Sequence, residues 1–489
     1  MKKLFQFILI ISAYLVQAQA PDKFYNRFGG FGHDIGYGVI QTLNGQYAVT
    51  GSTSSFGFGN TDAYLALVDS MGWVRWEKSF GGFNNDIGKS IIQLKDSGFV
   101  IAGYTNSFGS GGYDVFVVRT DKNGTLIWQK AFGGMDWDFG NCVKEVNGGD
   151  SLIICGNTYS YGYGKSDGYI IKTDINGNFQ WQKTFGGAED DEFKSFVLTY
   201  NNLYAFAGTT KSQGDVKGDC WIMKTGLNGD SVLNIKYGNN RKQNLNDIQE
   251  HPVTKNFYVC GGHDQNGLDS TSVLLLGLTE TGGFLFEDFH TYHKLADEQY
   301  VGLAHSKNNV FTYIRKNAYS SSGNRKLEPM VSSFNDNVYL NVTSYGSLED
   351  EEFFDIIKTK KKGFCMVGYT KGFNSYLTDI YMVVIDSNSN SGAIGLIDIG
   401  VNEPITNTNL KTSVYPSITK DFTSIMLPAE SNILYELTIY NLTGQIMSKL
   451  SLSDSIRIDL SPFSDGTYIL HLKSPEAPSQ NFKIIKTSY

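Results

Sequence analysis

The residues best suited to chemistry in this chain are acids and aromatic rings that return at a fixed interval. Asp34, Asp86, Asp138, Asp191 and Glu351 each stand six residues after a phenylalanine or tyrosine that opens a glycine-containing phrase. A second series, Asp62, Asp114, Asp167, Asp219, Asp269 and Asp379, stands just before an apolar run. A ring of such carboxylates could hold Ca²⁺, which takes several oxygen ligands. The same placement suits aspartates that accept backbone N–H groups and pin loops. Phe56, Phe58, Phe108, Trp137, Tyr161 and Tyr163 lie in glycine-rich stretches beside these acids, and Trp137 has no aromatic counterpart in the other repeats. Exposed rings of this kind stack on sugars; buried ones would wedge between neighbouring elements.

Other candidates carry less. His251, His263, His290, His293 and His305 crowd together, with Asp297 and Glu298 nearby, but their spacing matches no metal motif. The D-x-N-G turns at 121–124 and 174–177 lack the further acids and distal Glu of a calcium loop. There is no G-x-S-x-G, no H-E-x-x-H and no cysteine placed as a nucleophile. A glycosidase needs two carboxylates in different roles, and equivalent acids in equivalent places argue against that. The residues favour a non-catalytic protein, with Ca²⁺ the one cofactor candidate.

The elements that position these groups repeat as well. Phe28, Phe80, Phe132 and Phe185 each begin an FGG, 52, 52 and 53 residues apart, and Tyr237 and Tyr345 continue the series. Within one period, "DIGKSIIQL" (86–94), "FVIAGYT" (99–105), "VFVVRT" (115–120) and "TLIWQKAF" (125–132) read as strands joined by Asn/Asp/Gly turns. Seven sets of the first three strands begin near Asp34, Asp86, Asp138, Asp191, Asp247, Glu298 and Glu351. The seventh set lacks a fourth strand, while "KFYNRFGG" (23–30) is a fourth strand with no set before it. The expected fold is therefore all-β: a seven-bladed β-propeller over 22–400, closed by this N-terminal strand, which leaves no free sheet edge. An open solenoid is the alternative; it would make the strand balance accidental. The long loops share one face of such a ring, and that face is where a ligand would bind.

Fourteen per cent aromatic residues and 54 glycines suit short strands and tight turns. A net charge of −8 gives no reason to expect nucleic acid. The one basic run, Lys358 and Lys360 to Lys362, reads as a solvated hairpin turn. Residues 1–18 have the layout of a cleaved signal peptide, and no later segment is long and apolar enough to span a membrane as a helix. Of five cysteines, Cys142 and Cys155 alone flank one turn symmetrically; two buried thiols or a pair both fit.

After a linker at 401–411 the pattern changes to a small β-sandwich over 412–489. Tyr415–Pro416, Leu442-Thr443-Gly444, Gly466-Thr467-Tyr468 and the basic apolar end from Lys483 to Lys486 follow one another in an order that resembles the C-terminal sorting domain of the type IX secretion system. Ser417 and Ile418 depart from the Asn-Pro that family shows after its Tyr-Pro. The propeller repeats likewise resemble those of surface proteins exported by that system. The resemblance implies export to the cell surface or beyond, with the secretion machinery as partner of the tail. The expected role is recognition or adhesion through a glycan or surface-protein ligand. A glycan-degrading or glycan-modifying enzyme and an architectural surface component are the alternatives.

Overall fold

The computed structural model describes residues 24–385 and 413–486, except 239–240, 265–270, 291–298, 306–310, 317–329, 336–337, 345–349, 373–376, 416–417, 420–421, 427–434, 442–444, 453–455 and 474–479. The candidate signal peptide, the linker at 401–411, Pro416, Leu442, Gly444, Asp269, His293, Asp297 and Glu298 lie outside the described residues.

The all-β expectation holds. The strands up to Ile385 form seven four-stranded antiparallel sheets. Sheet one contains Asp34–Gln41, Tyr47–Thr53, Asp62–Val68 and Val74–Phe80 in that order. The two middle strands are buried along their whole length, because both faces of the sheet are covered. The fourth strand faces solvent in part, and its exposure rises and falls along its length. In the seventh sheet Glu351–Lys358, Phe364–Thr370 and Asp379–Ile385 are followed, in space, by Phe24–Phe28. That strand pairs antiparallel with Asp379–Ile385 from Phe24↔Val384 to Phe28↔Ile380.

Sheets pack face to face in chain order. Ala48 and Leu65 of sheet one share a core with Ile101 and Phe116 of sheet two. Val100 and Val117 of sheet two meet Ile154 and Ile171 of sheet three. Equivalent cores join sheets three to four, four to five, five to six and six to seven. A further core joins Val367 and Met382 of sheet seven to Val49 and Tyr64 of sheet one, with Phe24 inside it.

In every sheet the first strand slips register near its middle: between Gly36 and Gly38, Gly88 and Ser90, Gly140 and Cys142, Phe193 and Ser195, Leu245 and Asp247, Tyr300 and Gly302, and Phe353 and Asp355. Such bulges leave backbone groups without ladder partners. Side chains of the preceding sheet take several of them up. Ser90 Oγ accepts the Val143 N–H at 3.2 Å, Asp247 Oδ2 the Leu303 N–H at 3.0 Å, and Asp355 Oδ2 the Val39 N–H at 2.9 Å. The expectation that the fifth set opens near Asp247 is corrected here. That strand is Gln243–Glu250, and Asp247 stands after the bulge, opposite Cys260.

The tail forms a separate pair of sheets, one of three strands and one of five. Leu437, Ile439, Tyr468, Leu470 and Ile484 are buried together in its core.

Candidate functional site

The recurrent acids build a knot at the start of each sheet. Asp34, Asp86, Asp138 and Asp191 are buried, and each Oδ2 accepts the N–H of the second glycine of the preceding FGG phrase: Gly30 at 2.6 Å, Gly82 at 2.8 Å, Gly134 at 2.8 Å and Gly187 at 3.0 Å. Ser55, Ser107 and Ser160 add their hydroxyls to Asp34, Asp86 and Asp138 at 2.6 to 2.7 Å. Thr105 donates to Asp86, Thr210 to Asp191 at 2.5 Å, and Thr370 to Glu351 at 2.8 Å. The second acid series caps the loop before the third strand. Asp62, Asp114, Asp167 and Asp219 accept the N–H groups of Gly59, Ser110, Tyr163 and Asp215.

The two series meet across sheet boundaries. The first glycine of each phrase lies between one acid of each kind, Asp379 and Asp34 at Gly29, Asp62 and Asp86 at Gly81, Asp114 and Asp138 at Gly133, and Asp167 and Asp191 at Gly186. A Cβ at Gly81, Gly133 or Gly186 would strike both carboxyl groups. At Gly238 the amide of Gln243 replaces one acid opposite Asp219. Burial, reinforced by the neighbouring carboxylate, raises Asp62 and Asp167 above the ordinary carboxylate range and brings Asp114 to about 6. Burial brings Asp379 to about 6 as well, against the pull of Arg27 at 2.6 Å. The acids thus stand in pairs spread around the sheets. Among the described residues no three His, Cys, Asp or Glu side chains come together to hold a metal.

The six candidate rings divide into two sets. Phe56 lies 6.2 Å from Tyr64, Phe108 5.9 Å from Phe116 and Tyr161 5.8 Å from Tyr169, one such pair in each of sheets one to three. Each also closes over the second glycine of the preceding phrase, Gly30, Gly82 or Gly134. These rings do a local packing job. Phe58 and Tyr163 instead project from the same loops, and Trp137 from the loop between Leu126–Phe132 and Asp138–Val146; they are 89%, 85% and 52% exposed. Trp137 stands edge-on to Tyr113, Phe139 and Tyr159, with ring centres 6.1 to 6.4 Å away. Sequence reasoning missed Phe83 and Met135, at 84% and 91% exposure on the adjoining loops. Their position just past the glycine pair of the repeat is the signal that could have found them.

Among the described residues the histidines form no cluster of metal ligands. His263 ends the second strand of sheet five, Phe257–Asp264, where its Nδ1 lies 2.8 Å from Gln243 Nε2, and burial lowers its pKa. His251 is buried, and its Nδ1 accepts the N–H groups of Val253 and Thr254 in a turn. His290 closes the strand Phe284–His290 and His305 the strand Gln299–His305, so His263 and His290 lie on strands rather than in the connecting loops. Lys360 reaches from its turn to the carbonyl groups of Thr42 and Leu43 in sheet one. Asp121 and Asp174 accept backbone N–H groups within their own turns.

In the tail, Tyr415 lies on the strand Ser413–Tyr415, and Gly466 pairs with Lys486 across neighbouring strands. The buried Tyr468 hydroxyl donates to the Ser464 carbonyl at 2.7 Å, and Lys486 donates to the carbonyl groups of Ser461 and Phe463. Lys483 pairs with Ile469 in the same sheet.

Residues 413–487 match the family described as the secretion system C-terminal sorting domain. An alignment 164 positions long, covering 29% of this chain, is 29% identical to the regulatory protein FlaEY of Caulobacter vibrioides and spans only 17% of that protein. Among solved structures, Sqt1 from Chaetomium thermophilum aligns over 73% of this chain and 87% of its own, with 12% identity and a TM-score of 0.42. The α-L-arabinofuranosidase Arb93A from Fusarium graminearum aligns over 76% of this chain and 99% of its own, with 9% identity and a TM-score of 0.42.

Proposed function

For a chain that carries the sorting domain of the type IX secretion system, and is thereby directed to the cell surface or beyond, we propose a non-catalytic recognition role for the repeat region. Its scaffold would be a closed seven-bladed β-propeller over about residues 22–400. The support is that the junction of sheet seven with sheet one uses the same devices as the others. The Asp34 N–H donates to Thr378 O at 2.8 Å, as Asp86 does to Thr61 at 2.7 Å and Asp138 to Tyr113 at 2.6 Å. Phe24 covers the turn glycine Gly72 as Trp76 covers Gly124 and Trp128 covers Gly177.

The observation that carries the binding reading is the exposure of Phe58, Phe83, Met135, Trp137 and Tyr163 on the long-loop side of sheets one to three. Large apolar side chains left in water over neighbouring loops mark an interaction surface. Flat exposed rings of this kind, with Trp137 braced edge-on by Tyr113, Phe139 and Tyr159, suit the faces of sugar rings, and a glycan is the ligand class we favour. The repeated acids are engaged in holding loops, which leaves them poor candidates for the two distinct carboxylate roles of glycan hydrolysis.

The test is retention of the purified protein on a panel of polysaccharides, with release of reducing ends followed in parallel. Retention without release, weakened about tenfold or more in Trp137→Ala and Tyr163→Ala, is expected. Release of reducing ends would replace the recogniser with an enzyme. Silence on both readouts would move the role to a protein ligand or surface architecture.

A further inference from the structure

Cys142 and Cys155 are direct register partners on the first two strands of sheet three, Asp138–Val146 and Ser151–Thr158. Directly opposed residues of an antiparallel pair have Cα atoms about 4.5–5.5 Å apart, inside the roughly 4.4–6.8 Å a disulfide spans. Cys142 also packs against the core cluster that contains Cys155. All five cysteines of the chain are unbridged in this structure. Cys220 faces Thr209 and Tyr237, Cys260 faces Asp247 and Leu275, and Cys365 faces Ile357 and Val384.

We propose that Cys142 and Cys155 are a redox-modified pair, joined as a cross-strand disulfide once the chain has left the reducing cytosol. The oxidant is a protein disulfide of the exporting compartment, the class that forms structural bridges there. The Cys142 thiolate attacks one sulfur of that disulfide and displaces the other as a thiolate. The departing thiolate takes the proton of Cys155. Cys155, now a thiolate, then attacks the Cys142 sulfur, closing the intramolecular bond and displacing the oxidant's second sulfur as a thiolate, which takes up the proton that Cys142 lost on ionising and leaves the oxidant as a dithiol. Two electrons and two protons pass from the pair to the oxidant.

The surroundings assign the attacking role to Cys142. It is partly accessible, whereas Cys155 is buried. The hydrogen bond from Cys155, the nearby Lys144 and the Phe196 N–H hold the Cys142 thiol near pH 7, against the effect of burial. Burial pushes Cys155 well above the ordinary thiol range, so it needs the proton acceptor that the departing thiolate supplies. The pair belongs to one hairpin around the turn Asn147–Gly149, so it can meet before the sheets pack and bury it. Other sheets fill the same two positions without sulfur pairs: Ser90 opposite Ala102, and Ser195 opposite Ala207.

The experiment is peptide mapping of the full chain recovered from its exported location, with free thiols blocked by alkylation under unfolding, non-reducing conditions. A linked peptide containing Cys142 and Cys155, two hydrogens lighter than its parts, is expected, with Cys220, Cys260 and Cys365 alkylated. Alkylation of Cys142 and Cys155 in the unreduced sample would overturn the proposal. The double variant C142S/C155A copies the residues that sheets two and four already use. Its melting temperature should match that of reduced wild type and lie several degrees below unreduced wild type. No effect of reductant on wild type would count against the bridge.

Discussion

Each paired aspartate carries two duties: it ties a loop, and it shares a glycine-sized gap with another acid. The second duty has a cost that depends on pH. Asp114 and Asp379 have folded pKa values of about 6 against an ordinary 3.8. The folded state therefore binds protons more readily than the unfolded chain between about pH 4 and 6. Stability falls as pH rises through that window and is recovered as pH falls. The melting temperature should rise by a few degrees from pH 7 to pH 5, where most proteins rich in paired carboxylates lose stability. Asp114→Asn, neutral at both pH values while still able to accept the Ser110 N–H, should flatten the change; a wild-type melt that drops on acidification would defeat the argument. Much at this scale was legible: the six-residue spacing and the recurring FGG identified the acids and glycines together. What the letters hid was the partner, because the two acids of a pair belong to different sheets: 24 residues separate Asp62 from Asp86, Asp114 from Asp138 and Asp167 from Asp191, and 345 separate Asp34 from Asp379. The fifth repeat misled for a related reason. Gln243 fills the acid's place with an amide of similar shape, and the next acid along, Asp247, drew the strand start to itself.

Among the elements, Phe24–Phe28 is the informative one, because its sequence identified it before any coordinates did. Phe24 stands four residues before Phe28 as Trp76, Trp128 and Trp181 stand before their phenylalanines, and in space it meets Tyr47 edge-on at 5.9 Å and covers Gly72. Phe24→Ala should cost about 3–5 kcal/mol of unfolding free energy by chemical denaturation, the range for a buried aromatic truncated to alanine. Trp76→Ala, in the equivalent place, should cost a similar amount. A Phe24→Ala loss under about 1 kcal/mol would mean that the strand is an ornament rather than a member of its sheet. The bulge acceptors, by contrast, were not legible at all. Gly38, Ser90, Cys142, Ser195, Asp247, Gly302 and Asp355 occupy one structural position with four residue types. Ser90, Asp247 and Asp355 accept an N–H of the next sheet there, whereas a glycine has no side chain to do so, and the position therefore carries no single residue signature.

At the scale of the whole molecule, the tail and the repeats divide the labour. Residues 413–487 provide an address, and the surface role proposed above falls to the sheets. Deleting residues 413–487 should leave the protein inside the outer membrane, as followed by cell fractionation and protease accessibility. Normal surface exposure of the truncated protein would refute the tail's part in export. The tail was recognised from a few phrases, yet Leu442 and Gly444 lie outside the described residues, and Tyr468 and Lys486 contribute what can be seen, a buried hydroxyl and an amine each holding main-chain carbonyl groups. The strand Phe24–Phe28 has a further consequence in time. Its ladder partner, Asp379–Ile385, lies some 350 residues later in the chain, among the most distant pairings a domain of this size can make, and such contacts form slowly. During synthesis Phe24–Phe28 therefore leaves the ribosome some 350 residues ahead of the strand it pairs with, and the seventh sheet cannot be completed until the chain has been made as far as Ile385.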